Sequence, residues 1–555
     1  MPISSPIADV DIPLKDIATF FFEQAEARID AIASSGAQEP AALVDGKTNS
    51  SLRFSDIKGM ALRIARGLNT RHADEYPEEL GDVAAVFSPA DIRLSAIHFG
   101  TLMAGGTYMA LDPSLEAPVL AQRLVDVNTK AVFVAAELVP ALIDACKQSG
   151  AAIPKQSIIL LRGSYPGYST LDDLLVEPDA GEAFTPQVLA GEETLRKVAL
   201  VVYSSGTTGV SKGIMLTHHN VIAMYTMVGG YSARSKVHDV HYPGAGAAQS
   251  HILSALPLWL LYGHCVLCYQ PLTTGDCVVQ LPVLDLDDYL GAIDRYSVNR
   301  LSAAPHVLHR LLRETTKAGA GSVVITAHPS REYNISSVKA VGCGGASLPP
   351  HLIKVYSEYF DGAPIIQGYG ATESSSIIAG SSWTKPVAGA VGVLYPNTKA
   401  KVVDENGQET SGFGQLCIHG PHVMRGYTSR AVQSPVVDGY LHTGDYARLT
   451  PDGHVFLKGR VVDVVHTADG PVSPTDIECQ MVEHPDVKDC AVVGVGPRGS
   501  ARPVAFVILT QESTSSLSDV EKWIQERTGI AVECRETQMI PKSPAGKVLR
   551  YLLLR

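Results

Sequence analysis

The chain has 555 residues, a formal net charge of −12 at pH 7, 45% hydrophobic residues and 6% aromatic residues. This length exceeds what one hydrophobic core normally holds, so we expect at least two domains. The acidic balance and the lack of a basic run argue against binding to a nucleic-acid backbone.

The cysteines and the apolar segments indicate the cellular compartment of the protein. Nine cysteines are spread from Cys146 to Cys534 without a repeating spacing, so we expect reduced, mostly buried thiols. The first residues lack the basic start and apolar core of a secretory signal. The longest apolar stretch, Ile252 to Tyr269, contains Pro257 and Gly263, and we interpret it as buried core or pocket wall rather than a membrane span. We therefore expect a cytoplasmic protein.

The first 370 residues alternate helical patterns with short apolar runs, which predicts parallel α/β layers. The predicted helices are Phe20 to Ile32, Phe54 to Asn69 and Leu94 to Met103. The predicted strands are Val83 to Phe87, Ala131 to Val134, Leu253 to Leu256, Val338 to Gly342 and Ile365 to Ile366. The segment Gly229 to Ser250 is rich in glycine, alanine, serine and histidine, and it predicts a loop.

A run of hydroxyl-bearing residues and glycines follows the apolar strand Val198 to Val202 and ends at Lys212. Because these residues have little bulk, backbone N–H groups can approach phosphate oxygens, and the lysine adds positive charge. The spacing differs from the common Gly-x-x-x-x-Gly-Lys-Ser/Thr loop. We predict a polyphosphate-binding loop formed by Ser204, Ser205, Gly206, Thr207, Thr208, Gly209 and Lys212.

Two further motifs each follow a predicted strand, at the carboxyl end where ligands of parallel α/β proteins lie. The segment Gly342 to Ala346 exposes backbone without side-chain bulk, so a planar base or an acyl chain can pass close to it. The segment Gln367 to Glu373 offers a flat ring, a hydroxyl and a carboxylate. A carboxylate beside bound phosphates is a suitable ligand for Mg²⁺.

After Pro386 the pattern changes to short strands separated by turns, which predicts a small β subdomain. Its predicted strands are Lys401 to Val403, Gln415 to Ile418 and Val455 to Leu457. Past Gly459 and Arg460 a compact α/β pattern returns, with strands at Val487 to Val495 and Val504 to Leu509 and a helix at Ser516 to Thr528. We predict two domains, residues 1–459 and 460–555.

The motifs, with His442-Thr443-Gly444-Asp445 and Ser543-Pro544-Ala545-Gly546-Lys547, resemble those of the acyl-adenylate-forming (AMP-binding) superfamily in order and spacing. That superfamily includes acyl-CoA synthetases, 4-coumarate–CoA ligase-like enzymes, beetle luciferases and peptide-synthetase adenylation domains. The resemblance runs from about residue 14 to the end. It implies a large N-terminal domain of layered α/β subdomains with a small β subdomain, followed by a small, mobile α+β lid.

The resemblance also implies roles for individual residues. Adenine stacks on Tyr369, Thr372 contacts the α-phosphate, Glu373 binds Mg²⁺, and Lys547 is the adenylation lysine. The remaining implied nucleotide contacts are Gly344, Gly345, Ala346, Gly370, Asp445 and Arg460, the last two at the ribose or phosphate. The implied acid pocket is lined by Trp259, Leu261, Tyr262, Cys343, Gly344 and Ile377.

The implied reaction uses ATP and Mg²⁺ to convert a carboxylic acid, aliphatic or aromatic and hydrophobic, into an acyl-adenylate, which is then transferred to coenzyme A. Transfer to an amine or to a carrier-protein thiol is the alternative, and a non-catalytic nucleotide-binding protein is a third reading. Three positions depart from the family pattern. Leu260 replaces a histidine, Val462 replaces Asp or Lys, and Asp469 replaces a glycine of the pantetheine tunnel.

Overall fold

A computed structural model describes residues 2–34, 38–68, 80–150, 153–175, 184–204, 211–234, 249–317, 324–328, 331–346, 348, 350–382, 386–511, 513–543 and 547–554. Two large sheets with helices on their faces form the N-terminal part, and a small α+β domain follows. The predicted fold class is confirmed. Of the predicted N-terminal strands, Val83–Phe87 has the predicted bounds and the others differ by a few residues.

The largest sheet has fifteen strands within the described ranges, and its central strands are parallel. In sheet order the strands are Ile3–Ser4, Lys399–Val403, Gly414–His419, Tyr440–Leu449 (with Val436–Val437 beside it), His454–Arg460, Gly392–Leu394, Ala379–Gly380, Ile365–Tyr369, Ala340–Gly344, Arg300–Ala303, His251–Ser254, Cys277–Gln280, Ala41–Asp45 and Ser51–Arg53. The short strands predicted after Pro386 are present, and they continue this sheet through Ala379–Gly380 and Gly392–Leu394.

The second sheet has eight strands, six of which form its parallel part. Their order is Gly426–Tyr427, Gly213–Thr217, Val198–Tyr203, Thr107–Leu111, Val83–Phe87, Thr129–Ala135, Ile158–Arg162 and Ser169–Thr170. A small antiparallel sheet contains Thr316–Lys317, Val324–His328 and Arg331–Asn334.

The α-helices of the N-terminal part cover the faces of these sheets. They are Ile17–Ser34, Phe54–Leu68, Leu94–Met103, Ala117–Asp126, Val139–Ser149, Leu171–Leu174, Glu193–Arg196, His218–Arg234, Leu261–Cys268, Gln270–Thr274, Leu286–Arg295, Pro305–Glu314 and Pro350–Tyr359. Short 3₁₀ turns lie at Ala136–Leu138, Lys155–Ser157 and Thr372–Ser374. All ten residues of Leu94–Met103 are buried, including the polar Ser95, His98 and Thr101, so this helix lies inside the core.

Beyond residue 460, the described strands pair only among themselves. Val465–Thr467 and Gly470–Val472 form a hairpin, and Val487–Val495, Arg502–Leu509 and Glu533–Glu536 form a three-stranded sheet. Helices Pro474–Met481 and Leu517–Thr528 and the 3₁₀ turn Arg550–Leu552 complete this part. Arg460 is the last residue of the strand His454–Arg460, and the domain boundary beside it stays a prediction.

The loop predicted for Gly229 to Ser250 is wrong in its first residues. The helix His218–Arg234 continues through Gly229 and Gly230, where the composition predicted a loop. A Cβ at Gly230 would lie 2.5 Å from Cγ1 of Val10. Close packing against this N-terminal segment therefore leaves no room for a side chain at Gly230. Residues 235–248 of the predicted loop lie outside the described part of the chain.

The apolar stretch that begins near Ile252 supplies a buried strand and the helix Leu261–Cys268, which confirms its interpretation as core. Over the described ranges, none of the helices has the length and apolarity required to cross a membrane. Seven of the nine cysteines are buried and all nine are free thiols, as the sequence predicted.

The C-terminal turn is attached to its domain through Arg550. Its guanidinium donates to both carboxylate oxygens of Glu478 at 2.6 and 2.7 Å, and its Nε donates to the Val492 carbonyl at 3.0 Å. The Arg550 and Glu478 side chains are only 16% and 15% exposed. Burial raises the pKa of Glu478, and the Arg550 charge opposes that rise.

We predict that Arg550→Ala lowers the free energy of unfolding by about 3–5 kcal/mol near pH 7, because it leaves a buried carboxylate without its partner. The folded-state pKa of Glu478 then rises further above its unfolded value. The folded protein therefore binds a proton that the unfolded chain releases, and the loss should be smaller near pH 5 than near pH 7. Denaturant unfolding at both pH values measures the difference.

The matched control for this prediction is Lys354→Ala, which breaks a pair whose side chains are 83% and 66% exposed. We expect it to change stability by less than about 0.5 kcal/mol at either pH. A loss for Arg550→Ala of similar size at both pH values would contradict the role given to Glu478.

Candidate active site

The predicted phosphate loop connects two antiparallel strands, Val198–Tyr203 and Gly213–Thr217. All six residues of the first strand are buried, so the loop starts from a fixed base. The Ser204 N–H donates to the Lys212 carbonyl at 3.0 Å, and the Lys212 N–H donates to Ser204 Oγ at 3.3 Å. The structure thus closes the loop between its first and last predicted residues, while Ser205, Gly206, Thr207, Thr208 and Gly209 lie outside the described residues.

An arginine that the sequence analysis missed supports the base of this loop. Nη2 of Arg123 donates to Ser211 Oγ at 3.2 Å, and the guanidinium lies 4.4 Å from the centre of the Tyr203 ring. Ser211 Oγ in turn donates to the Ser204 carbonyl at 2.7 Å. Arg123 belongs to a helix about eighty residues earlier in the chain, and nothing in its local sequence indicates this contact.

A second segment, residues 424–428, joins the loop to the predicted metal ligand. The Met424 N–H donates to the Glu373 carbonyl at 2.8 Å, and the Thr428 N–H donates to the Gly213 carbonyl at 2.9 Å. The strand Gly426–Tyr427 pairs with the strand that follows the loop. Backbone hydrogen bonds therefore fix the phosphate loop and Glu373 relative to each other.

The motif Gln367 to Glu373 leaves the strand Ile365–Tyr369 and enters the 3₁₀ turn Thr372–Ser374. A Cβ at Gly370 would collide with the Ser376 carbonyl oxygen, so this turn requires glycine there. Ser375 and Ser376 both have positive φ, at 49° and 82°. Such strained backbone is often concentrated at functional sites.

The predicted adenine and ribose residues contact one another. Tyr369 Oη donates to Asp445 Oδ2 at 2.7 Å, and Arg460 Nη1 donates to Asp445 Oδ1 at 2.8 Å. Burial, together with the adjacent Asp445 charge, raises the pKa of Tyr369 well above its ordinary value. Each carboxylate oxygen keeps a further lone pair, so Asp445 can still accept hydroxyl hydrogen bonds from a ligand.

Lys547 brings the C-terminal domain into this site. Its backbone is held by Ser543, whose N–H donates to the Lys547 carbonyl at 2.8 Å. Burial lowers the pKa of the Lys547 ammonium; the Arg460 charge acts in the same direction, and the Asp445 and Glu373 charges oppose it. Groups that lie 87 to 174 residues before Lys547 in the sequence thus act on its ammonium.

The structure does not bring all of the predicted pocket residues together. The Tyr262 ring lies beside Gly342 and Gly344. Cys343 is 4% exposed within a hydrophobic cluster, where burial raises the pKa of its thiol to about 12. Ile377 is partly buried against two other hydrophobic clusters.

Trp259 and Leu261 instead line an apolar cavity of about 10 Å³, together with Tyr108, Leu200 and His264. A volume of that size holds at most about one water molecule, so this cavity has no room for a carboxylic acid. The structure therefore brings Tyr262 and Gly344 together, and it places Trp259 and Leu261 against a different space.

The donor set fits one Mg²⁺ ion held jointly with phosphates. Glu373 presents a hard carboxylate, and its Oε1 accepts a hydrogen bond from the neutral hydroxyl of Tyr427 at 3.2 Å. Within the described residues there is no group of three or more His, Cys, Asp or Glu side chains that could hold a metal alone. Mg²⁺ commonly takes one or two protein carboxylates and completes its shell with phosphate oxygens and water.

The fold and the site define a class of protein. A glycine-rich phosphate loop, a tyrosine and an aspartate at the nucleotide position and a lysine from a small C-terminal domain are typical of enzymes that adenylate a carboxylate. Residues 21–428 match the family model for the AMP-binding enzyme, and residues 476–547 match the model for its C-terminal domain. The chain belongs to the AMP-binding enzyme family.

Known proteins of this kind are similar along almost the whole chain. "4-coumarate--CoA ligase-like 3" of Oryza sativa subsp. japonica is 29% identical, covering 92% of this chain and 85% of that protein. The anthranilate CoA ligase AuaEII in complex with anthranoyl-AMP has a TM-score of 0.78 at 20% identity, covering 98% and 97% of the two chains. The amide bond synthetase McbA from Marinactinospora thermotolerans has a TM-score of 0.73 at 21% identity, covering 96% and 99%. The predicted superfamily is thus confirmed, and the two solved structures establish the fold.

We predict that Glu373→Gln raises the Mg²⁺ concentration for half-maximal pyrophosphate release by about tenfold or more, because it replaces an anionic oxygen ligand by a neutral amide. Tyr369 and Asp445 are unchanged, so ATP should still be recognised at high Mg²⁺. An Mg²⁺ titration of initial rates measures this. The control is Glu332→Gln, at an exposed position of a distant strand. Indistinguishable Mg²⁺ curves for Glu373→Gln and the parent would contradict the metal role.

Proposed function

We propose that this protein uses ATP to activate a carboxylic acid as its acyl-adenylate and then transfers the acyl group to coenzyme A. The observation that carries the proposal is the shared environment of Lys547, Glu373 and Asp445, since these groups come from both domains. A protein that only bound nucleotide would not need the Lys547 ammonium, whose charge is proposed to act chiefly in the transition state. A cytoplasmic location is part of the proposal.

In the first step a carboxylate oxygen attacks the α-phosphorus of ATP, and pyrophosphate leaves with the electron pair of the broken P–O bond. Lys547 bridges the incoming carboxylate and the α-phosphate, where its charge stabilises the transition state. The phosphate loop with Lys212 holds the outgoing phosphates, and Thr372 contacts the α-phosphate. Mg²⁺, held by Glu373, neutralises phosphate charge when it is bound. The chain thus acts mainly by positioning and charge stabilisation.

Recognition of the nucleoside is assigned to residues that the structure brings together. Tyr369 and the Gly344-Gly345-Ala346 segment enclose adenine, and Gly370 lets the chain turn beneath it. Asp445 accepts the ribose hydroxyls while Arg460 keeps the carboxylate oriented through its 2.8 Å ion pair. Tyr262 beside Gly342 and Gly344 and the partly buried Ile377 supply apolar surface, with Cys343 in the core behind it, so a hydrophobic aliphatic or aromatic acid is the proposed substrate.

In the second step the thiol of coenzyme A attacks the acyl carbon, and AMP leaves. The CoA ligase-like relative supports this acceptor. The amide bond synthetase McbA has the same fold, so transfer to an amine is the second candidate. The observation that bears on the choice is the hairpin near residue 470. Its exposed Asp469 stands where the family pattern has glycine, and the neighbouring Gly470 has φ of 121°.

We predict that Lys547→Ala slows acid-dependent pyrophosphate release by a factor on the order of 10²–10³, since the lost charge contact forms chiefly in the transition state. ATP affinity, measured by calorimetry without acid, should change little. The control is Lys522→Ala on the helix Leu517–Thr528 of the same domain. A rate within about threefold of the parent would remove Lys547 from the proposed mechanism.

We predict that Asp469→Gly leaves acyl-adenylate formation unchanged and keeps or increases acyl-CoA formation, because glycine gives the pantetheine chain more room. Mass spectrometry of acyl-AMP and acyl-CoA with the best acid measures both steps. The control is Asp361→Gly, at an exposed position of the large domain whose φ of 53° a glycine also adopts. If the parent forms acyl-CoA rapidly and Asp469→Gly abolishes that reaction, the expectation that glycine makes room for pantetheine is contradicted. A parent that makes acyl-AMP but little acyl-CoA would favour the amine.

A further inference from the structure

One tyrosine contacts both charged groups that the proposed function places at the phosphates. The hydroxyl of Tyr427 donates to Oε1 of Glu373 at 3.2 Å. The ammonium of Lys212 lies 5.1 Å from the centre of the same ring. The hydroxyl is thus a donor to the carboxylate, and the electron-rich ring face attracts the ammonium.

The backbone fixes this tyrosine in place. Tyr427 pairs with Ile214 in the strand that follows the phosphate loop. The residue after it, Thr428, donates its N–H to the Gly213 carbonyl at 2.9 Å. Three residues before it, Met424 donates its N–H to the Glu373 carbonyl at 2.8 Å. The phenol therefore stands between two anchored segments, which limits how far its hydroxyl and its ring can move.

Lys212 and Glu373 have opposite charges, yet no ion pair joins these two described residues. A direct pair would neutralise both groups and would have to break before the lysine could bind phosphate or the carboxylate could bind a cation. A neutral phenol that satisfies both groups leaves both charges available.

We propose that Tyr427 is a positioning residue that separates Lys212 from Glu373 and directs the Glu373 carboxylate toward the phosphate-bound Mg²⁺. This inference rests on the proposed function, in which Glu373 binds Mg²⁺ and Lys212 contacts the phosphates. Tyr427 lies outside the sequence motifs and 54 residues after Glu373, so its local sequence does not indicate this role.

The test uses the full-length protein and measures ATP binding without acid, so that no turnover takes place. Isothermal titration calorimetry gives the ATP dissociation constant over a series of Mg²⁺ concentrations. Tyr427→Phe keeps the ring and removes the hydroxyl, which leaves Glu373 free to rotate. We expect it to raise the Mg²⁺ concentration needed for half-maximal ATP affinity about fivefold, with melting temperature unchanged.

A second variant and a matched control separate the two contacts. Tyr427→Leu also removes the ring, so Lys212 and Glu373 can pair directly, and we expect ATP to bind about three- to tenfold more weakly even at saturating Mg²⁺. The control is Tyr168→Phe, because Tyr168 has a lysine ammonium 4.9 Å from its ring centre on the far edge of the same sheet. It should leave the Mg²⁺ dependence unchanged.

The outcomes distinguish this inference from the proposed function. A Tyr427→Phe curve within about twofold of the parent overturns the positioning role. If Glu373→Gln still shifts the curve in that case, the metal role of Glu373 stands and only the inference fails. If neither variant shifts the curve, the metal role fails as well. An effect of Tyr427→Phe that disappears in the Glu373→Gln background supports the inference, because the hydroxyl then acts through that carboxylate.

Discussion

The placement of one lysine ammonium among two carboxylates and an arginine is the interaction on which the site depends. Glu373 and Asp445 come from the large domain, Arg460 lies at the predicted boundary, and Lys547 comes from the C-terminal domain. Without these neighbouring charged groups, Lys547 would be an ordinary lysine. Among them, burial lowers the pKa of the ammonium, and the carboxylate charges oppose that shift. The relative position of the two domains therefore decides whether the site is complete.

Among the residues described, several polar contacts join the C-terminal domain to the large domain. Nη2 of Arg313 donates to the Val487 carbonyl at 3.2 Å, and Arg498 pairs with Glu405 at 2.6 Å with both side chains more than 60% exposed. Exposed ion pairs contribute at most about 1 kcal/mol each. Such contacts do not lock the domain in place, which suits the mobile lid that the family resemblance implies.

The sequence predicts most of the framework and part of the site. The buried strand Val83–Phe87 is evident from uninterrupted apolar residues, and the wholly buried helix Leu94–Met103 is evident from a mainly apolar segment. The motif residues could be identified because local spacing and family resemblance both mark them. The composition at Gly229 and Gly230 predicted a loop, because composition does not reveal that a helix packs against Val10 there. Arg123 and Tyr427 were missed for a related reason: each acts through a partner that only the tertiary structure brings near.

The central claim is that a carboxylate oxygen of the substrate bonds to the α-phosphorus of ATP. An acid labelled with ¹⁸O in its carboxyl group tests it directly, because the bridging oxygen stays with AMP when the acyl group is transferred. The enzyme is incubated with this acid, ATP and Mg²⁺, with and without coenzyme A, and the AMP is analysed by mass spectrometry. The account predicts one labelled oxygen in each AMP formed. Unlabelled AMP, or ADP formed together with labelled phosphate, would contradict it.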